Sequence, residues 1–251
     1  MAEALLKVID LCKSFGGLRV NADVNFDLFS GECLALIGPN GAGKTTLIHQ
    51  LSGFLAPDSG MVEFDGRDIT HLPVHARAHL GLARSFQITS IIPSLSVLEN
   101  VALAAQARTA NSLSFFGIAA NEKILNDQAF EALKMVGFDN EAETISNNLS
   151  HGEKRILELA IAIAMKPKAL LLDEPMAGVG RQEGFRLINI LKSLKTSYPL
   201  LLVEHDMEAV FALADRVAVL VYGKIIAIGT PDEIRRNAEV KTAYLGESAT
   251  L

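Results

Sequence analysis

Residues 34–46 read Leu-Ala-Leu-Ile-Gly-Pro-Asn-Gly-Ala-Gly-Lys-Thr-Thr, an apolar strand running into a glycine-rich turn and then a helix that begins near Lys44. Gly38 and Gly43 stand at the separation of a phosphate-cradling loop, with Lys44 and Thr45 directly behind. Glycines let the backbone approach an anion with no Cβ in the way, and the helix start adds unpaired N–H donors and a positive dipole end. Pro39, Asn40, Gly41 and Ala42 complete the turn. Lys44 is expected to bridge the β- and γ-phosphates of a nucleotide, the Thr45 hydroxyl to ligate Mg²⁺, and Thr46 to join the nucleotide-binding loop. A ligand-free glycine turn would leave the strand before and the helix after unexplained.

A second set of chemical groups lies further along. Residues 169–175, Ala-Leu-Leu-Leu-Asp-Glu-Pro, read as a buried parallel strand ending in two carboxylates. A carboxylate at such a point is costly to bury unless it holds a cation or moves a proton. Asp173 is the expected Mg²⁺ ligand, and Glu174 the base that orients and deprotonates an attacking water. Gln87 and His205 each follow an apolar strand. Gln87 could meet the metal and the water, and His205 could donate to the γ-phosphate; both read equally as ordinary polar strand ends.

Leu149-Ser-His-Gly-Glu153 admits two readings. Ser150 and Glu153 form a capping box for the helix that follows. The Ser150 hydroxyl can also donate outward, so that with the Gly152 N–H it could grip a phosphate at that helix start. One cradle already exists about a hundred residues upstream; a second makes most sense if it serves a nucleotide held by another subunit. Phe15 precedes the Gly16-Gly17 turn, either as a ring to stack on a purine or as a half-buried strand aromatic. His71, His75 and His79 fall four apart, but without Cys or a placed carboxylate they read as a solvated face.

These groups need a scaffold. Residues 5–15 and 18–29 read as paired strands, 44–52 as a helix closed by Gly53, and 61–64 with Asp65-Gly66 as a hairpin. Residues 82–86 read as a strand, 97–108 as a helix opened by the Ser96/Glu99 capping box, 109–122 as a loop and 123–136 as a helix stopped by Gly137. A buried helix follows Ser150, and strands and helices then alternate through a short terminal helix opened by Thr230 and Pro231. The expected fold is α/β: a P-loop NTPase (RecA-like) parallel-sheet core, an antiparallel β subdomain and an inserted α-helical subdomain. One domain spans 1–251, with core segments 1–88 and 151–251 around a helical insert at 89–150.

Composition narrows the class. At 251 residues the chain can bury a large core, and its net charge of −6 without a Lys/Arg run advertises no nucleic-acid surface. Two cysteines, Cys12 and Cys33, both in apolar surroundings, read as free buried thiols in a reducing compartment. The N-terminal segment lacks a signal-peptide pattern, and no stretch approaches the ~20 apolar residues of a membrane span.

Phe15, residues 38–46, Gln87, 149–153, 169–174 and His205 together resemble the ATP-binding cassette ATPases, in that family's order and spacing from about residue 5 to 246. The resemblance implies ATP and Mg²⁺ as ligands. It also implies two nucleotides sandwiched between two cassettes, each held by the P-loop of one subunit and by Ser150, Gly152 and Glu153 of the other. Phe15 would stack on adenine, Glu174 would be the base and His205 the γ-phosphate sensor. Within the family the chain is most similar to the importer ATPases for branched-chain and other hydrophobic amino acids, through Arg84-Ser-Phe-Gln87, Glu204-His-Asp-Met207 and Ala243-Tyr-Leu-Gly-Glu247. The implied partners are a second ATPase subunit, identical or paralogous, transmembrane permease subunits and, indirectly, a periplasmic solute-binding protein. The chain would then sit in the cytoplasm, peripheral on the inner face of the membrane. The apolar run Ile88, Ile91, Ile92, Pro93 and Leu95 is the expected permease dock, or else packs inside the helical subdomain. His151 and Gly180 depart from the family pattern; Gly180 removes an acidic or amide side chain expected to communicate across the dimer. The alternatives are a lipopolysaccharide-export ATPase and a soluble, non-transport ATPase of the same class.

Overall fold

Long alternating patterns build the first layer. Strands β1 (Ala4–Phe15) and β2 (Leu18–Phe29) alternate buried and solvent-facing residues, as a sheet with one wet face requires. A computed structural model describes residues 3–84, 91–108 and 118–245 of the chain. In it β1 pairs antiparallel with β2 and with β4 (Ser59–Phe64), and the Asp65-Gly66 turn brings β5 (Arg67–Asp68) alongside.

The second sheet is built from uninterrupted apolar runs, because both of its faces are covered. Its order is β10 (Lys224–Gly229), β9 (Arg216–Val221), β3 (Cys33–Ile37), β8 (Leu200–Val203), β7 (Ala169–Asp173), β6 (Leu82–Arg84), parallel throughout except for edge strand β10. Ala169 and Leu171 pack with helix α1 (Lys44–Ser52) and the antiparallel sheet; Leu170 and Leu172 pack toward α5 (His151–Ala164) and α6 (Arg181–Leu194) on the other side. Since β8 lies between β3 and β7, the turns leaving these three strands emerge side by side. In parallel sheets ligands bind at that carboxyl end.

Against β6, α2 (Val74–Leu80) supplies Arg77, which is 1% exposed. Its guanidinium donates to the carbonyls of Gln50, Leu51, Thr70 and Leu72 at 2.7–2.8 Å, closing the C-terminal end of α1. The inserted helices α3 (Val97–Arg108) and α4 (Ile118–Met135) share one apolar cluster with α5, through Val97, Val101, Leu133, Val136 and Phe138. Helix α4 starts at Ile118, five residues earlier than the Lys123 read from sequence. Alanines and a glutamate in 118–122 carry good helix propensity, and Gly117 with the small, polar residues before it masked that in the sequence.

At the C-terminus, α7 (Met207–Leu213) and α8 (Pro231–Arg236) are followed by a helix that sequence reading missed, α9 (Ala238–Leu245). Asn237 caps it, its Oδ1 accepting from the N–H groups of Glu239 and Val240. Among the described residues no helix is long and apolar enough to cross a membrane.

Candidate active site

The glycine loop joins β3 to α1 under tight constraints. A Cβ on Gly38 would collide with the Leu220 carbonyl, and one on Gly43, at φ 105°, would lie 2.6 Å from the Val20 carbonyl oxygen. Above Gly41, at φ 79°, there is open space. Gly43 is the N-cap of α1 and no side chain caps it, so the first N–H groups of the helix face the loop's concavity. Lys44 is 8% exposed and folds back, Nζ donating to the carbonyls of Gly38 at 2.6 Å and Pro39 at 3.0 Å. Burial pulls its pKa down, and the nearby charges of Glu174 and Asp173 oppose that. Thr45 is exposed on the first turn and Thr46 half-buried behind it.

Asp173 ends β7 in the protein interior. Its Oδ2 accepts from Arg84 Nη2 at 2.9 Å, with the two side chains only 2% and 8% exposed. Glu174 turns out of the sheet in a left-handed conformation, φ 48°, its N–H donating to the Val203 carbonyl. That turn leaves the Glu174 side chain 34% exposed, with His205 Nδ1 3.8 Å from its Oε1, a contact too long for a hydrogen bond. Directly before His205 stands a residue that sequence reading assigned no role. Glu204 is fully buried and accepts from the N–H groups of Met176 at 2.8 Å, His205 at 3.1 Å and Asp206 at 3.3 Å. Burial pushes its pKa up, partly offset by those three donors. The signal available in sequence was a carboxylate directly after the apolar strand 200–203, in line with Glu174.

The Ser150 turn is built as a capping box: Ser150 Oγ accepts from Glu153 N–H, and Glu153 Oε2 from Ser150 N–H. The Ser150 hydroxyl also donates outward, 2.7 Å to Glu183 Oε1 on the first turn of α6. A Cβ at Gly152 would collide with the same carboxylate. Among the described residues the hydrogen bonds of Ser150 run to Glu153, Lys154 and Glu183 and reach none of the loop at 38–46. Phe15 presents a half-exposed ring at the end of β1, with the Lys13 ammonium 5.8 Å from its centroid.

Gln87 and Ile88 lie outside the described residues. Ile91 proves to be buried in the cluster of the inserted helices, whereas Ile92 is 43% exposed and Pro93 is open. The apolar run is thus split between core and surface, narrowing the docking surface expected from it. His71, His75 and His79 are all exposed.

The structure brings a buried lysine, an uncapped helix start, a buried carboxylate and a solvent-reaching carboxylate to adjacent strand ends. An exposed hydroxyl at Thr45 and a buried carboxylate at Asp173 suit a hard divalent cation that takes its other oxygens from phosphate and water. Such a site can bind a nucleoside triphosphate and direct water at its terminal phosphate.

Known proteins resemble the chain over its whole length. The family model for ABC transporters matches residues 21–177, and that for the branched-chain amino acid ATP-binding cassette transporter matches residues 224–250. The chain is 36% identical to the high-affinity branched-chain amino acid transport ATP-binding protein LivG of Escherichia coli K12, with 99% of this chain and 100% of LivG aligned. It is also 36% identical to the lipopolysaccharide export system ATP-binding protein LptB of the same organism, over 99% of this chain and 100% of LptB. A crystal structure of a nucleotide-free ATP-binding cassette from an ABC transporter superposes with a TM-score of 0.85 at 29% identity, covering 96% of this chain and 99% of that one. The family model, the fold and the full-length similarity agree: the chain belongs to the ABC transporter family and is one of its ATP-hydrolysing cassettes.

Proposed function

We propose that this cassette energises a membrane importer for branched-chain or other hydrophobic amino acids, and that it hydrolyses ATP at composite sites shared between two cassettes. The amino-acid reading is supported by the family match at residues 224–250 and by LivG, similar over its whole length. The composite-site reading is carried by one observation: the uncapped start of α1 adjoins Asp173 and Glu174, while the Ser150 turn is engaged by Glu183 instead.

In this reading Lys44 exchanges its two loop carbonyls for phosphate oxygens, and the N–H groups at the start of α1 hold the phosphates. Mg²⁺, held by Thr45 and Asp173, would neutralise phosphate charge. Glu174 accepts the proton of the attacking water, and its exposed side chain can reach that water. His205, beside it, donates to the terminal phosphate; Gln87 reports the nucleotide's state toward the permease, which docks near Ile92 and Pro93. Phe15 stacks on the adenine. The cassette stays at the cytoplasmic face of the membrane, held by its permease partners.

Glu174→Gln should bind ATP with unchanged affinity, hydrolyse it at least tenfold more slowly and accumulate as an ATP-bound dimer on gel filtration. Wild-type turnover in that variant would remove Glu174 from the role of base. A second reading, lipopolysaccharide export, rests on the equal identity to LptB. Reconstitution with the permeases encoded beside it separates the two: uptake of labelled leucine, isoleucine or valine supports import, and lipopolysaccharide extraction supports export.

A further inference from the structure

Glu204 is a buried carboxylate for which hydrolysis, as just described, has no use. Its side chain is fully enclosed, so it cannot touch the nucleotide or the attacking water. A carboxylate is costly to bury, and no lysine or arginine pairs with it among the described residues; its charge is met by the three N–H groups. The position of those donors is informative. One, Met176, belongs to the turn after β7 that begins with Glu174; the other two, His205 and Asp206, belong to the turn after β8.

The strands themselves hold these turns together only to their ends. Asp173 pairs with Val203, and the Glu174 N–H makes a last ladder bond to the Val203 carbonyl. Beyond that point the two chains diverge, Glu174 through a left-handed residue and His205 toward α7. The Glu204 carboxylate continues the ladder where backbone pairing stops, one oxygen on each turn.

We propose that Glu204 is a positioning residue for ATP hydrolysis, its carboxylate fastening the turn that carries Glu174 to the turn that carries His205 so that the two groups keep a fixed spacing. The inference rests on the reading of Glu174 and His205 given above. Charge is needed as well as shape. An amide at this position can accept with its oxygen, but its NH₂ would point a donor at N–H groups that already donate.

The test uses the full-length chain with Mg-ATP. Glu204→Gln should leave KM for ATP and the binding of a fluorescent ATP analogue within about twofold of wild type while kcat falls about tenfold or more. Glu204→Asp, which keeps the charge one methylene shorter, should recover part of that loss. His205→Ala should cost far less in the Glu204→Gln background than in the wild type, because one unit has already been loosened. A wild-type kcat in Glu204→Gln, or losses that simply multiply with His205→Ala, would overturn the proposal. Were Glu204→Gln unable to fold or bind ATP, Glu204→Asp carries the test alone, and a full rate there overturns it. Glu174→Gln keeps the two readings apart. If it abolishes turnover while Glu204→Gln does not, only the positioning role falls; if it turns over normally, the assignment beneath it has failed.

Discussion

Cys33 opens β3 with its thiol wholly enclosed, and burial, helped by the Asp215 carboxylate nearby, pushes its pKa up to about 12. A raised thiol pKa keeps the sulfur protonated at pH 8, so the reactive thiolate is scarce there. Iodoacetamide should label Cys33 at least ~100-fold more slowly in the native protein than in 6 M guanidinium, as read by mass spectrometry. Native labelling at the free-thiol rate would mean that β3 opens readily. Other residues were legible to different depths. The loop at 38–46 and the pair Asp173-Glu174 could be read directly, since each is a short contiguous pattern whose chemistry is local. Arg84 was legible only as part of a run; that its guanidinium meets Asp173, 89 residues away in sequence, depends on β6 lying against β7. Glu204 escaped because a lone carboxylate carries no sign of which backbone groups will turn toward it.

Arg77 belongs to the scale of elements, where a single side chain joins three of them. Its donors close the last carbonyls of α1, satisfy Thr70 after β5 and anchor Leu72 ahead of α2. Replacing it by Met removes the donor from four carbonyls, of which that of Gln50 keeps the Gly53 N–H at 3.3 Å. The expected loss is roughly 3 kcal/mol, a fall of about 6–12 °C in Tm by calorimetry for a chain of this size. Arg77→Lys should recover little, because one ammonium cannot serve four carbonyls splayed around a planar guanidinium. A Tm within 2 °C of wild type for Arg77→Met would show the joint to be dispensable. Element type was readable wherever period and caps agreed: the capping boxes at Ser96, Ser150 and Thr230 all form. It failed where composition and packing disagreed, at the start of α4 and at α9, whose Val240 and Ala243 pack with residues of α8 and β10 and so make sense only in three dimensions.

For the whole molecule, the feature with the widest reach is the carboxylate of Glu183. It stands third after the Gly180 N-cap of α6, as Glu153 stands third after Ser150; yet it bridges to the neighbouring helix and does not box its own. In the composite-site reading proposed above, a free cassette already shelters an anion where the partner's phosphate would go. Assembly then becomes an exchange of one negative guest for another, and the nucleotide must evict a tenant before the halves can shut. Neutralising that tenant should ease the swap. In the Glu174→Gln background, Glu183→Gln should lower the ATP concentration for half-maximal dimerisation several-fold by light scattering, and an unchanged midpoint would mean the carboxylate leaves without resistance. Resting subunits would thus be kept apart by a built-in counterfeit of the phosphate that later unites them.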